Sequence, residues 1–441
     1  MRTLTAVLSL LLVAPACGDD DANLDGDGTE DPDAGDPDAS PPPPACIDPE
    51  PGIICTIAGK AESAGYSGDD GPALQAEFSL PQDMLVADNG DMYVLDWNNH
   101  RLRVVRTDGT IEHVAGRGEL GGDLDDPGSQ DFNHPTNIVF TEGQESVLIA
   151  AWHNSKIREV DLSTGDVTDY AGTGKRAYEQ DDGPKATASF DLPAAIEWDP
   201  DGNLVIMDQA NQVIRYIDTT DGMVHKLAGQ CIIDTPVAAG GPGPCDVPTA
   251  CPGLNEKMTC GDPAATCATP CNPTYAAGDA ADLRMAQPFG QSADPAGRMA
   301  FDPDGNLIWI DTENSLIRKL DGEGNGSIVA GQPPEGGVQQ KGYAGDGGPA
   351  DDATLNRPVD IAIDDDGTIY FTDVFNHCVR KIDPEGEIST FAGTCEERGY
   401  SGDGGPADEA ELKLPYGLEL HDDTLYIVDT GNQVIRKVIL E

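Results

Sequence analysis

Asp429-Thr-Gly-Asn-Gln-Val-Ile-Arg436 decides the fold, because its spacing recurs along the chain. An Asn followed four residues later by Arg, with an aliphatic residue just before the Arg, occurs six times. The copies run Asn99 to Arg103, Asn154 to Arg158, Asn211 to Arg215, Asn314 to Arg318, Asn376 to Arg380 and Asn432 to Arg436. In five of them an Asp stands three residues before the Asn (Asp96, Asp208, Asp311, Asp373, Asp429), and Ala151 takes that place in the other. A second marker, Ala-Gly at the end of a short apolar run, is found at Ala58, Ala115, Ala171, Ala228, Ala330 and Ala392. Two markers with the same count identify a repeat protein, and that sets the frame for every other motif.

Within the first complete copy, Met84 to Ala87, Met92 to Leu95, Leu102 to Arg106 and Ile111 to Ala115 are short apolar runs, each separated from the next by a turn. Asp88-Asn-Gly90 and Asp108-Gly109 are hairpin signals, so the copy reads as a four-stranded antiparallel meander. The sixth copy stops three strands in, at Glu441, whereas a spare Ala-Gly strand, Ile53 to Ala58, precedes the first. A ring closes if that strand completes the last sheet, and closure removes the open edges that a linear array would leave. The expected fold is therefore all-β, a six-bladed β-propeller closed by its N-terminal strand.

The 79 acidic and 26 basic residues give a formal net charge of -53, which repels phosphate backbones and excludes nucleic acid as a partner. Residues 1–17 read as an export signal: Arg2, an apolar core from Leu4 to Val13, then Ala14-Pro-Ala-Cys17. The placement of Cys17 resembles the lipobox of bacterial lipoproteins, with Ala14 where Leu is commonest. The resemblance implies lipidation of Cys17, a membrane contact through that anchor alone, and a place on the bacterial envelope, at the outer membrane or cell surface. Residues 18–45 are Asp, Gly, Pro and Ala with almost nothing apolar, a composition that cannot bury a core and reads as a disordered acidic tether. The propeller then occupies 46–441, with a Cys-rich insert at about 231–284.

Ten cysteines besides Cys17, in a chain that looks exported, read as five disulfides. Cys231, Cys245, Cys251, Cys260, Cys267 and Cys271 lie in the Pro/Gly/Ala-rich insert, which has too few large apolar residues to fold by core burial. Cys378 starts the third strand of its copy and Cys395 follows the fourth, so antiparallel pairing brings them together and leaves Cys46 for Cys55.

The repeats resemble NHL repeats, most clearly from Leu355-Asn-Arg-Pro-Val-Asp-Ile-Ala-Ile-Asp364 through Asp373-Val-Phe-Asn-His-Cys-Val-Arg-Lys-Ile382. The linkers Gly65 to Ala73, Gly342 to Ala350 and Gly399 to Ala407 look like the inter-blade loops of bacterial NHL proteins, and Gly174 to Ala186 keeps a degenerate form. The resemblance implies the fold but no activity, because propellers host many functions.

Six-fold recurrence argues that the Asp-x-x-Asn turn and the Arg are architectural, the Arg bonding carboxylates or carbonyls between neighbouring blades. The turns at Asp199, Asp302 and Asp364 imitate the start of a calcium loop but lack its twelfth-position Glu, which favours plain turn chemistry. Variable residues are better site candidates. The residue two after each Pro opens the inner strand: Asp83, Asn137, Ala195, Gly290, Asp360 and Gly417. Asp83, Asn137 and Asp360 offer oxygen to a polar ligand or hard cation at the channel mouth, or cap the strand starts; His134 and Tyr416 are neighbours that add an imidazole or aromatic contact. Calcium is the candidate cofactor, though neither it nor any metal ligand is fixed by the sequence. Some propeller relatives are lyases, lactonases or hydrolases, and the lyases of peptide amidation use histidine-bound metal. Here only His134 lies near a channel opening, so a three-histidine site is not expected. The function expected is an envelope-anchored monomeric binding or scaffold propeller that engages a protein or glycan through loops on one face, rather than an enzyme. The alternative is a metal-dependent lyase or hydrolase at the channel mouth.

Overall fold

The computed structural model describes residues 46, 49–118, 130–179, 181–229, 278–280, 283, 285–288, 294–334 and 339–440. The lipidation site Cys17, the tether and the six insert cysteines (Cys231, Cys245, Cys251, Cys260, Cys267, Cys271) lie outside these residues. Six antiparallel sheets are formed among the described residues, one per repeat. In blade 1 the order from the inside outward is Asp83–Val86, Met92–Asp96, Arg101–Val105 and Thr110–Ala115. The last blade runs Gly417–His421, Thr424–Asp429 and Val434–Ile439, and its outermost strand is Ile54–Ala58. Ile54 pairs with Val438, Thr56 with Arg436 and Ala58 with Ile435, so the ring is closed as the strand count requires. The core closes with it: Ala58 and Phe78 pack with Val428 and Ile435 of the last blade and Met84, Val94 and Ile111 of the first.

Four blades carry a short fifth edge strand that the sequence reading lacked. Gly71–Pro72, Gly183–Pro184 and Gly348–Pro349 pair with the outer strands of blades 1, 3 and 5, and Gly278–Asp279 does so in blade 4. Gly278–Asp279 is thus part of a blade, so the insert ends earlier than the boundary near 284 drawn from composition. Three of these strands carry the Gly-Pro of the linkers, so the linker is itself the edge cover of the next sheet.

The Ala-Gly marker has a steric cause. Each outer strand bulges before its Ala, and the next Gly turns away over the backbone of its own blade. Gly59 has φ +94°, and a Cβ there would lie 2.3 Å from the Gln433 carbonyl oxygen; at Gly116 a Cβ would lie 2.3 Å from that of His100. No L side chain fits.

The repeated Asp, Asn and Arg form one buried hub per blade. Asp208 accepts from the Asp191 N–H at 2.8 Å and from Asn211 Nδ2 at 2.9 Å, and pairs with Arg215 at 3.2 Å. Asp96, Asp373 and Asp429 do the same with Asn99 and Arg103, Asn376 and Arg380, and Asn432 and Arg436. The residue after each Asn takes a left-handed conformation, from φ 52° at Ser155 to 61° at Gln433, which reverses the chain into the third strand. Where Ala151 replaces the Asp, Asn154 Oδ1 accepts the linker N–H of Asn133 at 2.8 Å, and Arg158 turns to Asp169 at 3.2 Å.

The Arg side chains are buried, as the architectural reading requires, but their other bonds run to the incoming linker of their own blade rather than to a neighbouring sheet. Arg103 reaches Asp69 at 2.7 Å and the carbonyls of Ser67 and Glu77; Arg380 and Arg436 reach Asp346 and Asp403 in the equivalent way. The linker Asp is the reason: it grips the outer strand as well, Asp403 accepting the Thr56 N–H at 3.1 Å and Asp346 the Thr390 N–H at 2.9 Å. Even the degenerate linker keeps this pattern, with Asp181 on Arg215 at 2.8 Å. Cys378 is bonded to Cys395 and Cys46 to Cys55, with Cα separations of 5.1 and 5.6 Å.

Candidate functional site

The inner strands bring Asp83, Asn137 and Asp360 together, and they add a residue that the repeat reading missed. In blade 4 the Pro288 rule pointed to Gly290, which lies outside the described residues, whereas the inner strand there is Met299–Phe301. Ile310 N–H donates to the Arg298 carbonyl, so Arg298 occupies the place that Asp83, Asn137 and Asp360 hold in their blades. Its guanidinium lies across the channel. Nη1 sits 2.6 Å from Asp83 and 2.7 Å from Asp360, and Nη2 donates to the carbonyls of Gln82 at 2.8 Å and Thr136 at 2.6 Å. A positive charge of the protein's own therefore stands where the sequence reading set a hard cation.

The remaining oxygens of this layer cap the next blade. Asp83 accepts the Ile138 N–H at 3.0 Å and Asn137 Nδ2 at 2.8 Å; Asn137 Oδ1 accepts the Ile196 N–H at 2.6 Å; Asp360 accepts the Leu418 N–H at 2.7 Å. Of the two readings the sequence left open, strand capping is the one these bonds express. Burial pushes both carboxyls above the usual range, Asp360 to about 7, against the pull of the single Arg298 that they share.

Beyond this layer the channel widens into a cavity of about 340 Å³. Its wall carries Leu85, Val139, Ala300 and Ala362, with Glu197 from blade 3 and Glu419 from blade 6. Glu197 accepts the Trp198 N–H at 2.9 Å and Glu419 the Val86 N–H at 3.3 Å; among the described residues neither has a cation within ion-pair distance. Burial raises Glu197 to about 7, with Asp83 and Asp360 adding to the rise, and lifts Glu419 well above its usual value. Asp83, Arg298 and Asp360 are buried, whereas Phe140, Trp198, Ile363 and Leu420 are partly exposed, so the cavity opens toward the ends of the inner strands. That is the mouth opposite to the one expected from the sequence. It is ringed by hairpin turns rich in carboxylates, and these are self-satisfied: Asp199 accepts the N–H groups of Asp201 and Asn203, and Asp302 that of Asn306.

The other face, where the inner strands begin, carries His134 in a setting the sequence did not reveal. His100, His134 and His153 meet there, their ring centroids 4.4 and 4.8 Å apart, with Trp97 4.3 Å from His134 and Trp152 stacked on His153 at 4.2 Å. Their meeting carried no signal in the sequence: they occupy three different repeat positions, and only the packing of blade 1 on blade 2 joins them. Their Nδ1 atoms are engaged in hydrogen bonds, His134 with Asn133 at 2.8 Å and His153 at 3.0 Å, and His100 accepting the His134 N–H at 3.2 Å. Burial lowers all three, His134 to about 3 and His153 to about 4, so they are neutral at pH 7. Among the described residues no three His, Cys, Asp or Glu are arranged to hold a metal ion. The indole N–H groups of Trp97 and Trp152 are buried with no acceptor among the described residues. Tyr416 joins neither group; its phenol is raised by burial and by Asp294, on another side of the channel.

Residues 283–399 match the Teneurin NHL domain family. The chain is 25% identical over 338 residues to the chloroplastic protein Suppressor of Quenching 1 of Arabidopsis thaliana, covering 75% of this chain and 27% of that protein. It is 25% identical over 376 residues to NHL repeat-containing protein 2 of Gallus gallus, covering 82% of this chain and 46% of that protein. It thus spans about a quarter and about half of these curated relatives. An auxiliary nutrient binding protein from Bacteroides thetaiotaomicron has the same fold, with a TM-score of 0.56 at 16% identity over 88% of this chain and 76% of that one. Among the described residues no helix is long and apolar enough to cross a membrane, and two disulfides are formed, as suits an oxidising compartment.

Proposed function

Because the chain is a six-bladed propeller of NHL repeats, we propose that it is a binding scaffold of the bacterial cell envelope, anchored through Cys17 and engaging a protein or glycan by one face. The observation that carries the choice of face is the Trp97–His134–His153–Trp152 array where the inner strands begin. Trp97, His134 and His153 are partly exposed, neutral, and held by packing, so a partner's apolar or sugar face loses little entropy in covering them. The repeated charges do not compete for this role, since the hub bonds within each blade consume them. The Bacteroides neighbour, described as a nutrient binding protein, supports a binding rather than catalytic reading. No catalytic step is assigned; among the described residues no three His, Cys, Asp or Glu are arranged to hold the metal that the lyase or hydrolase alternative needs.

The test is binding of the purified chain to an oligosaccharide array and to solubilised envelope proteins, with Trp97→Ala and His134→Ala variants beside the wild type. Loss of at least about tenfold in affinity in both variants is expected from removal of a central aromatic contact. Unchanged binding in both would move the partner surface elsewhere, and deletion of residues 231–271 would then test the insert.

A further inference from the structure

The central cavity poses a charge problem that the binding face does not touch. Four carboxyl groups, Asp83, Asp360, Glu197 and Glu419, surround one guanidinium, that of Arg298. Arg298 is spent on the two aspartates and two carbonyls, so among the described residues the two glutamates face the cavity without a counter-charge. They belong to blades 3 and 6, which are opposite each other in a ring of six. The Glu197 charge, together with those of Asp83 and Asp360, adds to the burial that lifts Glu419 above its usual value.

We infer that the cavity is a binding site for a small organic dication of the diamine class, one ammonium on Glu197 and the other on Glu419, with the methylene chain against Leu85, Val139 and Ala362. Three features select this chemistry. First, the volume of about 340 Å³ suits a small ligand. Second, the cavity lining includes Leu85, Val139, Ala300 and Ala362 beside the carboxylates, side chains that a hydrocarbon spacer covers and a hydrated metal ion does not. Third, the mouth is ringed by turn carboxylates, among them Asp88, Asp201, Asp304, Asp365 and Asp422, with no Lys or Arg in those turns, and such a field concentrates cations at the entrance. Arg298 lines the cavity at the Asp83–Asp360 layer, away from the partly exposed Phe140, Trp198, Ile363 and Leu420. Binding gives two half-buried carboxylates charge-assisted hydrogen bonds inside the cavity.

Isothermal titration of the full chain with 1,4-diaminobutane, n-butylamine, butane-1,4-diol and calcium chloride at constant ionic strength tests this. The diamine should bind at least about tenfold more tightly than the monoamine, the diol should give no heat, and Glu197→Gln or Glu419→Gln should each reduce diamine affinity by about tenfold or more. Glutamine keeps the shape and removes a half-buried charge that has no ion-pair partner among the described residues, so both variants should fold. The contrast between diamine and diol needs no variant at all. Equal binding of diamine and diol, or diamine affinity unchanged in both variants, overturns the inference. So does calcium that displaces the diamine and is itself lost in the same variants. None of these readouts depends on Trp97 or His134, so the two proposals fail separately.

Discussion

Replacing Arg298 by methionine tests how the channel is held together. The side chain keeps its length and loses its charge and donors, so Asp83 and Asp360, 3% and 4% exposed, lose the cation that they share. The carbonyls of Gln82 and Thr136 lose donors as well. Removing one partner of a buried ionic group leaves the other charge uncompensated and costs about 3–5 kcal/mol. The cost should depend on pH in a defined direction. Burial already holds Asp360 near 7 and Asp83 above its usual value with the arginine present. A carboxyl raised in the folded state stabilises below its unfolded pKa and loses that contribution as pH rises through the folded one. Without Arg298 both pKa values rise further, so the penalty should be small near pH 5, where protonated carboxyls need no cation, and largest above pH 7. Urea denaturation of wild type and Arg298→Met at pH 5 and pH 8 measures this. The triple variant Arg298→Met with Asp83→Asn and Asp360→Asn should recover most of the loss at pH 8, because no charge is left buried. A loss below about 1 kcal/mol at both pH values, or one that does not grow with pH, would refute the claim that this arginine is the electrostatic keystone of the inner layer.

Two further outcomes follow from the geometry. Glu197→Gln should leave stability unchanged near pH 4.5 and raise it above pH 7, by an amount of order 1–3 kcal/mol, because burial lifts the native carboxyl to about 7 and its ionisation costs stability across that window; parallel melts at pH 4.5 and 8 decide it. Thr56→Pro should cost about 2–3 kcal/mol and expose the chain to limited proteolysis, since it removes the N–H that Asp403 accepts and unpairs the closing strand, whereas Thr56→Val, which removes only the contact with Tyr400, should cost about 1 kcal/mol or less.

The architecture was legible because it is written six times. The Asn-to-Arg spacing and the Ala-Gly marker fixed the number of blades, and the strand left over at Ile54–Ala58 fixed the closure. The site was legible only in part, because it is written once. Asp83, Asn137 and Asp360 were found from their place two residues after Pro, but in blade 4 ten positions separate Pro288 from Arg298, and the rule slid onto Gly290. Glu197 and Glu419 stand two residues beyond those strand-opening positions, on the same face of a strand with a period of two; reading that next row would have found them. His100, His134 and His153 carried no such signal. One follows the repeated Asn, one lies in a linker and one precedes the Asn, so no spacing connects them, and their meeting depends on how one blade packs on the next.

The closing contact also imposes an order of events on biosynthesis. Ile54 finds Val438 only after the 383 residues between them have been made, so the closing strand must wait, unpaired, for the blade that it completes. Its Ile54 and Cys55 are fully buried in the finished protein and have no cover until then. Early blades can form as hairpins while the chain is still growing, but the ring acquires cooperativity in a single late step, when head and tail zip together. Resistance to proteases should therefore appear abruptly when Val434–Ile439 takes up its partner rather than accumulate blade by blade, which makes that pairing a built-in check that all six blades are present.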